Sequence, residues 1–548
     1  MLRVMRRGYP CAKKPYFPVC WRRSKPWTVS AWRIPPRWEG LRMPRLGALF
    51  LLVAIFSAAV CAIVYQLLIG SVSSYFLGNS VEQFSLTIGF FLAAMGLGSW
   101  LSRFVADDLL LTRLAQLEIW LGLLGGISVG VLYVLYGYTG HFRAGMLALS
   151  TAIGALIGLE VPLITRLLRG HGTLRAALSN VLSLDYLGAL LASLLFPYIL
   201  LPLLGSLHTA LVAGLVNAGL GLGVVLAFKG ALLEQRAFHS LGAQALVVIA
   251  ALGALAWQGE GLRARWESDL YEDRIVHSEQ SAYQQIILTR RDEHLRLYLN
   301  GHLQFASIDE HRYHEALVHP AMVLAPSRER VLIIGGGDGL TAREVLKYEE
   351  VEHVDLVDLD PAVTRLAQRN IHLTRLNDNA LNRRQVRVVN EDGFVFLQRE
   401  HVPYGAILID LPDPREESLA KLYSVEAYRL CRKLLSPQGV LATQASSPYH
   451  VREAYWSVAA ALEEAGFTVH SYHLHVPSFG EWGFHLAGPA ALDPTAVDFV
   501  VPTRYIDHQV WGALAVFDGD MARLPVQANR LDRPVLARYY RQGRGTQF

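Results

Sequence analysis

The chain has 548 residues, more than one ordinary domain requires, and only 18% of them are charged, which is low for a soluble protein. The net charge is only +4, and about a dozen basic residues lie before residue 46. The remainder is therefore acidic, which argues against nucleic-acid binding. No spacing among the four cysteines predicts a metal site or a disulfide framework.

The first half of the chain is dominated by apolar runs. Residues 1–45 are a basic leader, which we interpret as a membrane-flanking segment or an overextended start of the reading frame. Seven later runs approach the roughly 20 apolar residues that cross a bilayer, so residues 46–258 are predicted to form an N-terminal α-helical transmembrane bundle of about seven spans. The runs are 46–70, 81–102, 115–137, 144–168, 181–204, 207–228 and 241–257, and the last is barely long enough.

The acidic residues Glu160 and Asp185 lie inside these runs. Acids in a membrane are costly, so they either pair or line a polar path. We favour a structural role, with pairing to Arg166 or to backbone and hydroxyl groups, over a transport path. Small residues recur in Gly96–Gly98 and Gly219–Gly223, and they predict close helix contacts.

Beyond residue 260, charges become frequent and β-type segments begin. Residues 274–305 alternate in polarity, and Asn300-Gly301 is a strong hairpin signal, so residues 263–320 are predicted to form a small antiparallel β-domain. A helix is expected from about Ile308 to Val323, near the end of this domain.

A glycine-rich turn, Gly335-Gly-Gly-Asp338, follows the next predicted strand and precedes a helix. Glycines allow the backbone to approach a ligand closely, and helix-terminal amides offer donors. Asp358 ends a second strand 23 residues after Gly335, close to the spacing at which a carboxylate takes a ribose diol. The pattern predicts an adenosine-type ligand.

Acidic residues follow strand after strand in this α/β segment. Strands alternating with helices imply a mostly parallel sheet, predicted here as a Rossmann-like domain over residues 321–490, with ligands at the carboxyl ends of the strands. For Glu391 and Asp360, capping of the next helix is an equally good explanation. So many acids at one edge predict a cationic substrate. They are Asp338, Asp358, Asp392, Asp410 and Asp413.

Together these motifs resemble those of the spermidine synthase family of polyamine aminopropyltransferases, over about residues 275–485. The apolar first half is similar to that of the membrane-anchored, two-domain members. The motifs stand in the family's order: Tyr283-Gln284, Asp309-Glu310, Tyr313-His314-Glu315, Gly335-Gly-Gly-Asp338-Gly, Val357-Asp-Leu-Asp360, Asp392-Gly393, Asp410-x-x-Asp413-Pro and Gln444.

The resemblance implies a reaction and a set of roles. The aminopropyl group of decarboxylated S-adenosylmethionine would move to a diamine, putrescine by default, giving spermidine and 5'-methylthioadenosine, with Asp410 as the base. The resemblance assigns co-substrate binding to Gln284, Gly335, Asp358, Asp392 and Gly393, and amine binding to His314, Asp338 and Asp413.

The same resemblance bears on cofactors and partners. It implies neither a metal nor a permanently bound cofactor, because the co-substrate itself brings the leaving group. The expected partners are the amine, membrane lipid and a second copy of the chain in a homodimer, without nucleic acid.

Several positions depart from the family's pattern. Asp358 stands for the usual glutamate, Leu340 for a further glycine and Asn300 for an aspartate. Most notably, Arg415-Glu-Glu-Ser follows Pro414, in the segment that gates the family's active site. The identity of the amine is therefore open.

Two other functions are compatible with parts of the sequence. A methyltransferase would share the adenosine site but would not need Asp410 and Asp413. A catalytically inactive polyamine sensor or transporter would account for Glu160 and Asp185 but not for the retained base.

The distribution of basic residues and the expected chemistry predict different orientations of the protein in the membrane. Lys and Arg gather in the leader and around 103–113, 166–175 and 229–236, which puts the N-terminus in the cytoplasm. Seven crossings would then place the α/β domain outside, whereas six, with 241–257 lying in the interface or re-entering, would keep it inside. We expect a multi-pass protein of the cell (inner) membrane with a cytoplasmic catalytic domain, because the nucleotide-like substrate is cytoplasmic. Residues 491–548 are expected to be a C-terminal extension with helices and a basic end.

Overall fold

The computed structural model describes residues 45–77, 80–169, 173–229, 235–415 and 417–545. All but the last residue of the predicted leader lies outside these ranges. Within them, seven long apolar helices form an N-terminal bundle, close to the predicted runs. Their bounds are α1 (Arg45–Leu77), α2 (Ser80–Leu101), α3 (Leu110–Tyr138), α4 (Phe142–Leu168), α5 (Leu174–Leu195), α6 (Leu201–Ala227) and α7 (Gln235–Leu270).

Six stretches among the described residues are long and apolar enough to cross a membrane. One of them, Leu174–Ala227, is 54 residues long and contains both α5 and α6. A π-helical turn, Phe196–Leu200, joins the two helices, and Gly205 breaks the helical backbone with a φ of 68°. A left-handed backbone of this kind is one that glycine adopts readily. This 54-residue apolar stretch therefore contains two helices.

The last helix of the bundle, α7, packs along α6 from end to end. Near its start, the ring of Phe238 lies 4.9 Å from the ammonium of Lys229, just beyond α6. Near the other end, His208 at the beginning of α6 lies 2.8 Å from the point where Gly259 would carry a Cβ. Residues 241–257 are therefore antiparallel to α6 through the bundle. The start of α1 and the domain that follows α7 consequently lie at opposite ends of the bundle.

Small residues bring some of these helices together. A Cβ on Gly98 would lie 2.0 Å from the carbonyl oxygen of Ala155, so α2 and α4 touch backbone to backbone. Gly223 packs on the ring of Phe50, which lies 2.8 Å from the point where Gly223 would carry a Cβ. By contrast, Gly96 has nothing within 4 Å of its Cβ position. Only some of the predicted small-residue contacts are therefore formed.

The intramembrane acids do not pair as expected. Arg166 bonds to Asp107 and to the carbonyl oxygens of Ser102 and Val105, so pairing of Glu160 with Arg166 is wrong. Glu160 instead lies close to Glu118 of α3, a residue that the sequence analysis overlooked, and neither carboxylate oxygen of Glu118 has a hydrogen-bond partner among the described residues. Both side chains are buried, with 2% and 1% exposure.

A small antiparallel sheet follows the bundle, in the order β1-β2-β3-β4. Asn300 and Gly301 join its last two strands with φ values of 49° and 75°. Two positive φ values are typical of a type I′ turn, which confirms the predicted hairpin. The strands are β1 (Arg274–Gln280), β2 (Gln285–Arg291), β3 (His294–Leu299) and β4 (His302–Ala306).

The third part is an α/β domain with a seven-stranded sheet in the order β10-β11-β9-β8-β5-β6-β7. The strands from β5 to β9 are parallel, and β10 and β11 are antiparallel. Residues Val331–Ile334 of β5 are almost fully buried, because helices cover both faces of the sheet. The strands are β5 (Arg330–Gly335), β6 (His353–Asp358), β7 (Val386–Asn390), β8 (Tyr404–Asp410), β9 (Leu435–Gln444), β10 (Thr468–Val476) and β11 (Gly480–Gly488).

Helices pack on this sheet and continue to the end of the described chain. The predicted helix near 308–323 is observed as α8. The helices are α8 (Glu310–Leu324), α9 (Leu340–Val345), α10 (Pro361–Arg369), α11 (Ile371–Leu376), α12 (Gly393–Leu397), α13 (Glu417–Ala420), α14 (Val425–Leu434), α15 (Arg452–Glu464), α16 (His508–Leu514) and α17 (Leu536–Gly545).

Candidate active site

A cavity of about 720 Å³ opens where the carboxyl ends of β5, β6 and β8 meet the small sheet. Every residue that the sequence analysis assigned to the site lines it, although the residues lie far apart in the chain. Parallel strands bring them together because their carboxyl ends share one edge of the sheet. The predicted residues on the wall are Gln284, His314, Gly335, Asp338, Asp358, Asp392, Gly393, Asp410 and Asp413.

The glycine turn brings the end of β5 against the end of β8. Gly335 and Gly336 have φ values of 85° and 63°, and the amide of Gly336 donates to the carbonyl oxygen of Asp410 over 2.9 Å. A Cβ on Gly335 would lie 2.0 Å from that oxygen. Only glycine fits here, so the turn positions Asp410 as well as shaping the cavity.

Asp358 is fixed by backbone donors. Its carboxylate accepts from the amide of Gly337 at 3.1 Å and from that of Asp360 at 2.9 Å. Burial is the main reason that the pKa of Asp358 rises to about 6, and the two amides oppose this rise. The carboxylate is thus tied to the glycine turn, and its shorter side chain is compensated by the close approach of that turn.

Asp360 has a structural role and also holds a site residue. Its carboxylate caps α10 through the amide of Ala362 at 2.9 Å, as the capping explanation expects. It also accepts from Ser281 at 2.6 Å and from the amide nitrogen of Gln284 at 3.1 Å. Asp360 therefore orients Gln284 at the rim of the cavity. Glu391 instead forms an ion pair with Arg399, at 2.6 Å.

Asp392 caps α12 and carries a cationic partner that the sequence analysis missed. Its carboxylate accepts from the amide of Phe394 at 2.8 Å and forms an ion pair with Lys421. Lys421 also lines the cavity. This corner is therefore less negative than the sequence pattern predicted.

Asp410 is held by two hydroxyl groups, one on each carboxylate oxygen. The Tyr313 hydroxyl donates over 2.8 Å and the Thr341 hydroxyl over 2.6 Å. These donors come from α8 and α9, and only the tertiary structure identifies Thr341. The carboxylate is oriented and still has lone pairs free to accept a proton.

His314 lies beside these acids in a buried charge network. Its Nδ1 is 2.8 Å from Glu310, and Glu310 also binds Arg343 at 2.9 Å. Burial alone would lower the pKa of His314, but the hydrogen bond and charge of Glu310 outweigh it and raise that pKa to about 9. A protonated imidazole has donors and no acceptor, so it cannot accept a hydrogen bond from an ammonium group.

Asp338 is the acid most affected by this network. Its carboxylate accepts from the amide of Leu340 at 2.9 Å. Burial raises the pKa of Asp338 to about 6; the charge of His314 opposes the rise and the charge of Asp410 adds to it. The charge of His314 therefore partly offsets the negative charge of the acids beside it.

Both carboxylate oxygens of Asp413 already accept hydrogen bonds. One accepts from Ser446 at 2.6 Å. The other accepts from the hydroxyl of Tyr540 at 2.5 Å and from the guanidinium of Arg415 at 3.3 Å. Tyr540 lies on α17, so the C-terminal extension contributes to the site a hydrogen bond that no local sequence pattern predicts.

Three further motif residues support the site without facing the substrate. The amide of Gln444 donates to the carbonyl oxygen of Leu411 at 2.7 Å and so holds the loop after β8. Asp309 accepts from the amide and hydroxyl of Ser478, in the loop between β10 and β11. Glu315 accepts from three successive backbone amides that begin at Arg504, and so anchors the C-terminal extension.

Comparisons with known proteins agree with this geometry. The family model described as "Spermine/spermidine synthase domain" matches residues 310–490. Polyamine aminopropyltransferase 2 of Ralstonia nicotianae is 44% identical over 90% of this chain and 98% of its own length. Polyamine aminopropyltransferase of Leptospira interrogans is 42% identical over 90% and 98% of the two chains.

Among solved structures, a spermidine synthase in complex with the transition state analogue AdoDATO matches with a TM-score of 0.42 and 27% identity, over 45% of this chain and 86% of the other. The curated relatives, in contrast, match along nearly their whole length, helical half included. The chain therefore belongs to the polyamine aminopropyltransferase family.

Proposed function

We propose that the protein transfers the aminopropyl group of decarboxylated S-adenosylmethionine to an amine and releases 5'-methylthioadenosine. The observation that carries the proposal is the oriented carboxylate of Asp410, which faces the same cavity as Asp338 and the glycine turn. Putrescine is the default acceptor, which would give spermidine. The co-substrate supplies its own leaving group, a neutral thioether, and requires no acid.

The main barrier in this reaction is the protonated acceptor. An alkyl ammonium group with a lysine-like pKa near 10.4 is almost fully charged at pH 7, and releasing its lone pair costs about 4–5 kcal/mol. In the proposed step the nitrogen loses its proton to Asp410 and attacks the aminopropyl carbon next to sulfur. The carbon–sulfur bond breaks, and its electron pair stays on sulfur. A positioned base and in-line alignment then provide the catalysis.

The remaining residues are assigned roles by position. We propose that Asp358 takes the ribose, Asp392 the adenine amino group and Gln284 the sulfur end, with Gly335 and Gly393 giving close backbone approach. Asp338 would hold the reacting amine, and His314 would keep that carboxylate ionised. The ribose, adenine, sulfur and amine groups in these assignments all belong to the two substrates of the reaction.

Two measurements on the purified full-length protein test the proposed function. An amine panel with product analysis should show aminopropylated product and 5'-methylthioadenosine. A parallel incubation with a methyl donor should give no methylated product. Methylation without aminopropyl transfer would contradict the proposal, and so would loss of both activities in a protein that still binds 5'-methylthioadenosine.

Arg415 is expected to weaken the binding of short diamines. Its guanidinium forms an ion pair with the carboxylate of Asp413, to which the far ammonium of a diamine would otherwise bind. Arg415→Gln removes the competing cation, so we expect the KM for putrescine to fall by about fivefold to tenfold, equivalent to roughly 1 kcal/mol of binding. Steady-state kinetics would measure this fall.

The matched control is Arg399→Gln, because Arg399 pairs with Glu391 and its side chain is 55% exposed. A higher KM for putrescine in Arg415→Gln than in the wild type would contradict the competition and show that the guanidinium helps to bind the amine.

The helical half is proposed to hold the enzyme in the cell membrane as a multi-pass bundle over about residues 46–258, with lipid around it. Large apolar side chains such as Leu187, Leu203 and Val247 are exposed on its surface, as lipid contact requires. Residues 263–320 would form the small β-domain, 321–490 the catalytic domain and 491–548 the extension. A homodimer is proposed from the family alone.

We propose which side of the membrane the catalytic domain faces from the chemistry of the aminopropyl donor. We expect the catalytic domain to face the cytoplasm, where a nucleoside co-substrate is made. The basic residues at the opposite end, such as Arg103, Arg113 and Arg169, argue for the reverse by the positive-inside rule. C-terminal fusions to a reporter active only in the cytoplasm and to one active only after export would distinguish the two. Activity of the exported reporter alone would overturn the cytoplasmic placement.

A further inference from the structure

The catalytic cavity is bounded partly by the helical bundle. Residues at one end of α1, α2, α3 and α6 line it together with the acids of the α/β domain. We call this surface the bundle wall. The residues of the wall used below are Ser71, Ser74, Tyr75, Phe84, Tyr133 and Ser206.

A short chain of contacts links the bundle wall to the acceptor side of the cavity. The guanidinium of Arg415 lies 3.3 Å from Asp413 and 2.5 Å from Nδ1 of His302. His302 follows Gly301, and the Tyr75 hydroxyl lies 3.8 Å from the point where Gly301 would carry a Cβ. The wall therefore adjoins the Asp413 end of the cavity.

The chemistry of the bundle wall suits a linear amine. Among the described residues that line the cavity from the bundle, none is charged, and most carry a hydroxyl group or an aromatic ring. Hydroxyl oxygens accept hydrogen bonds from ammonium groups, and aromatic faces attract cations. Phe84 and Val72 offer apolar surface for the methylene groups between them.

From this arrangement we propose that the bundle wall is an outer acceptor subsite, which receives the part of a linear polyamine that extends beyond a diamine. The proposal rests on the proposed aminopropyl transfer and deepens it. Because Arg415 is paired with Asp413, a longer acceptor gains contacts at Tyr75 that a diamine cannot reach. The membrane helices then contribute to amine selection as well as to anchoring.

Kinetics of the full-length protein with a diamine and a triamine test this subsite. For Tyr75→Ala, we expect the ratio of kcat/KM for the triamine to that for the diamine to fall by about fivefold to tenfold, the size of a lost cation–π contact. Tyr186→Ala is the matched control, because Tyr186 lies on α5 outside the cavity lining and is 68% exposed. An unchanged ratio in Tyr75→Ala that still binds 5'-methylthioadenosine would overturn the subsite.

A second measurement does not depend on a variant. A triamine carrying a photoreactive group at its far end, added to the wild type with 5'-methylthioadenosine, should label peptides within residues 71–84. Labelling confined to the α/β domain would overturn the proposal. A wild type that uses diamines but no triamine would also overturn it while leaving the proposed function intact, and transfer to no amine at all would overturn both.

Discussion

Asp410→Asn is expected to lower kcat by about 10³-fold, within the range that a positioned base contributes. Asn has nearly the same shape as Asp, and its carbonyl oxygen can accept from one of the Tyr313 and Thr341 hydroxyls while its NH2 group donates to the other. It cannot take the proton from the acceptor amine. The glycine turn, the proposed site of the nucleoside, bonds to the backbone carbonyl of Asp410, so the Kd for 5'-methylthioadenosine should change little.

Single-turnover kinetics and calorimetric titration with 5'-methylthioadenosine would separate these two effects. Asp292→Asn provides the matched control, because Asp292 is exposed in the turn between β2 and β3. Its φ of 55° is one that Asn tolerates well. Equal losses of turnover and of nucleoside binding in Asp410→Asn would argue against the base and for a structural role.

Glu310→Gln should destabilise the protein by about 3–5 kcal/mol, because breaking a buried charge network leaves other charges uncompensated. The carboxylate of Glu310 is 2% exposed and lies against both His314 and Arg343. Burial alone would raise the pKa of Glu310, but these two partners outweigh it and hold that pKa at about 2. The stabilisation from Glu310 is therefore present above its ordinary value of 4.5 and is lost as the pH falls towards 2.

The same network predicts the dependence of stability on alkaline pH. The pKa of His314 is raised from 6.5 to about 9, so its contribution is fully present below pH 6.5 and is lost as the pH rises through about 9. The melting temperature of the wild type should fall over this window. In Glu310→Gln most of that fall should disappear, because the main group that raises the pKa is gone.

Thermal melting in detergent between pH 5 and 10 would measure both effects. Glu293→Gln is the matched control, since Glu293 pairs with Arg290 but its side chain is 90% exposed, and we expect a change of less than about 0.5 kcal/mol. A Glu310→Gln protein as stable as the wild type, with the same alkaline fall, would show that the network does not hold the site together.

Several features of this protein follow from local sequence. Apolar runs of roughly the length that a bilayer requires identify the long helices of the N-terminal bundle. The Asn300-Gly301 hairpin and the Gly335 turn follow from residues that adopt positive φ. The acids at the strand ends were found because strand polarity in a parallel sheet fixes which ends meet.

Other features depend on contacts between distant segments, and local patterns do not encode these. The approach of Glu160 to Glu118, the bond from the Thr341 hydroxyl to Asp410 and the bond from the Tyr540 hydroxyl to Asp413 each bring together residues on separate elements. The protonation of His314 depends on how deeply Glu310 and Arg343 are buried beside it.

The sequence by itself determined the two-part organisation, the family and five of the six acids that line the cavity among the described residues. Tertiary structure alone decided that Asp413 is occupied by Arg415, that α7 traverses the bundle and that the bundle wall closes the cavity. The physical reason is that chemical groups and local turns are properties of short segments. Which group a carboxylate binds, whether a side chain is charged and whether a cavity is enclosed are decided only when segments far apart in the chain pack together.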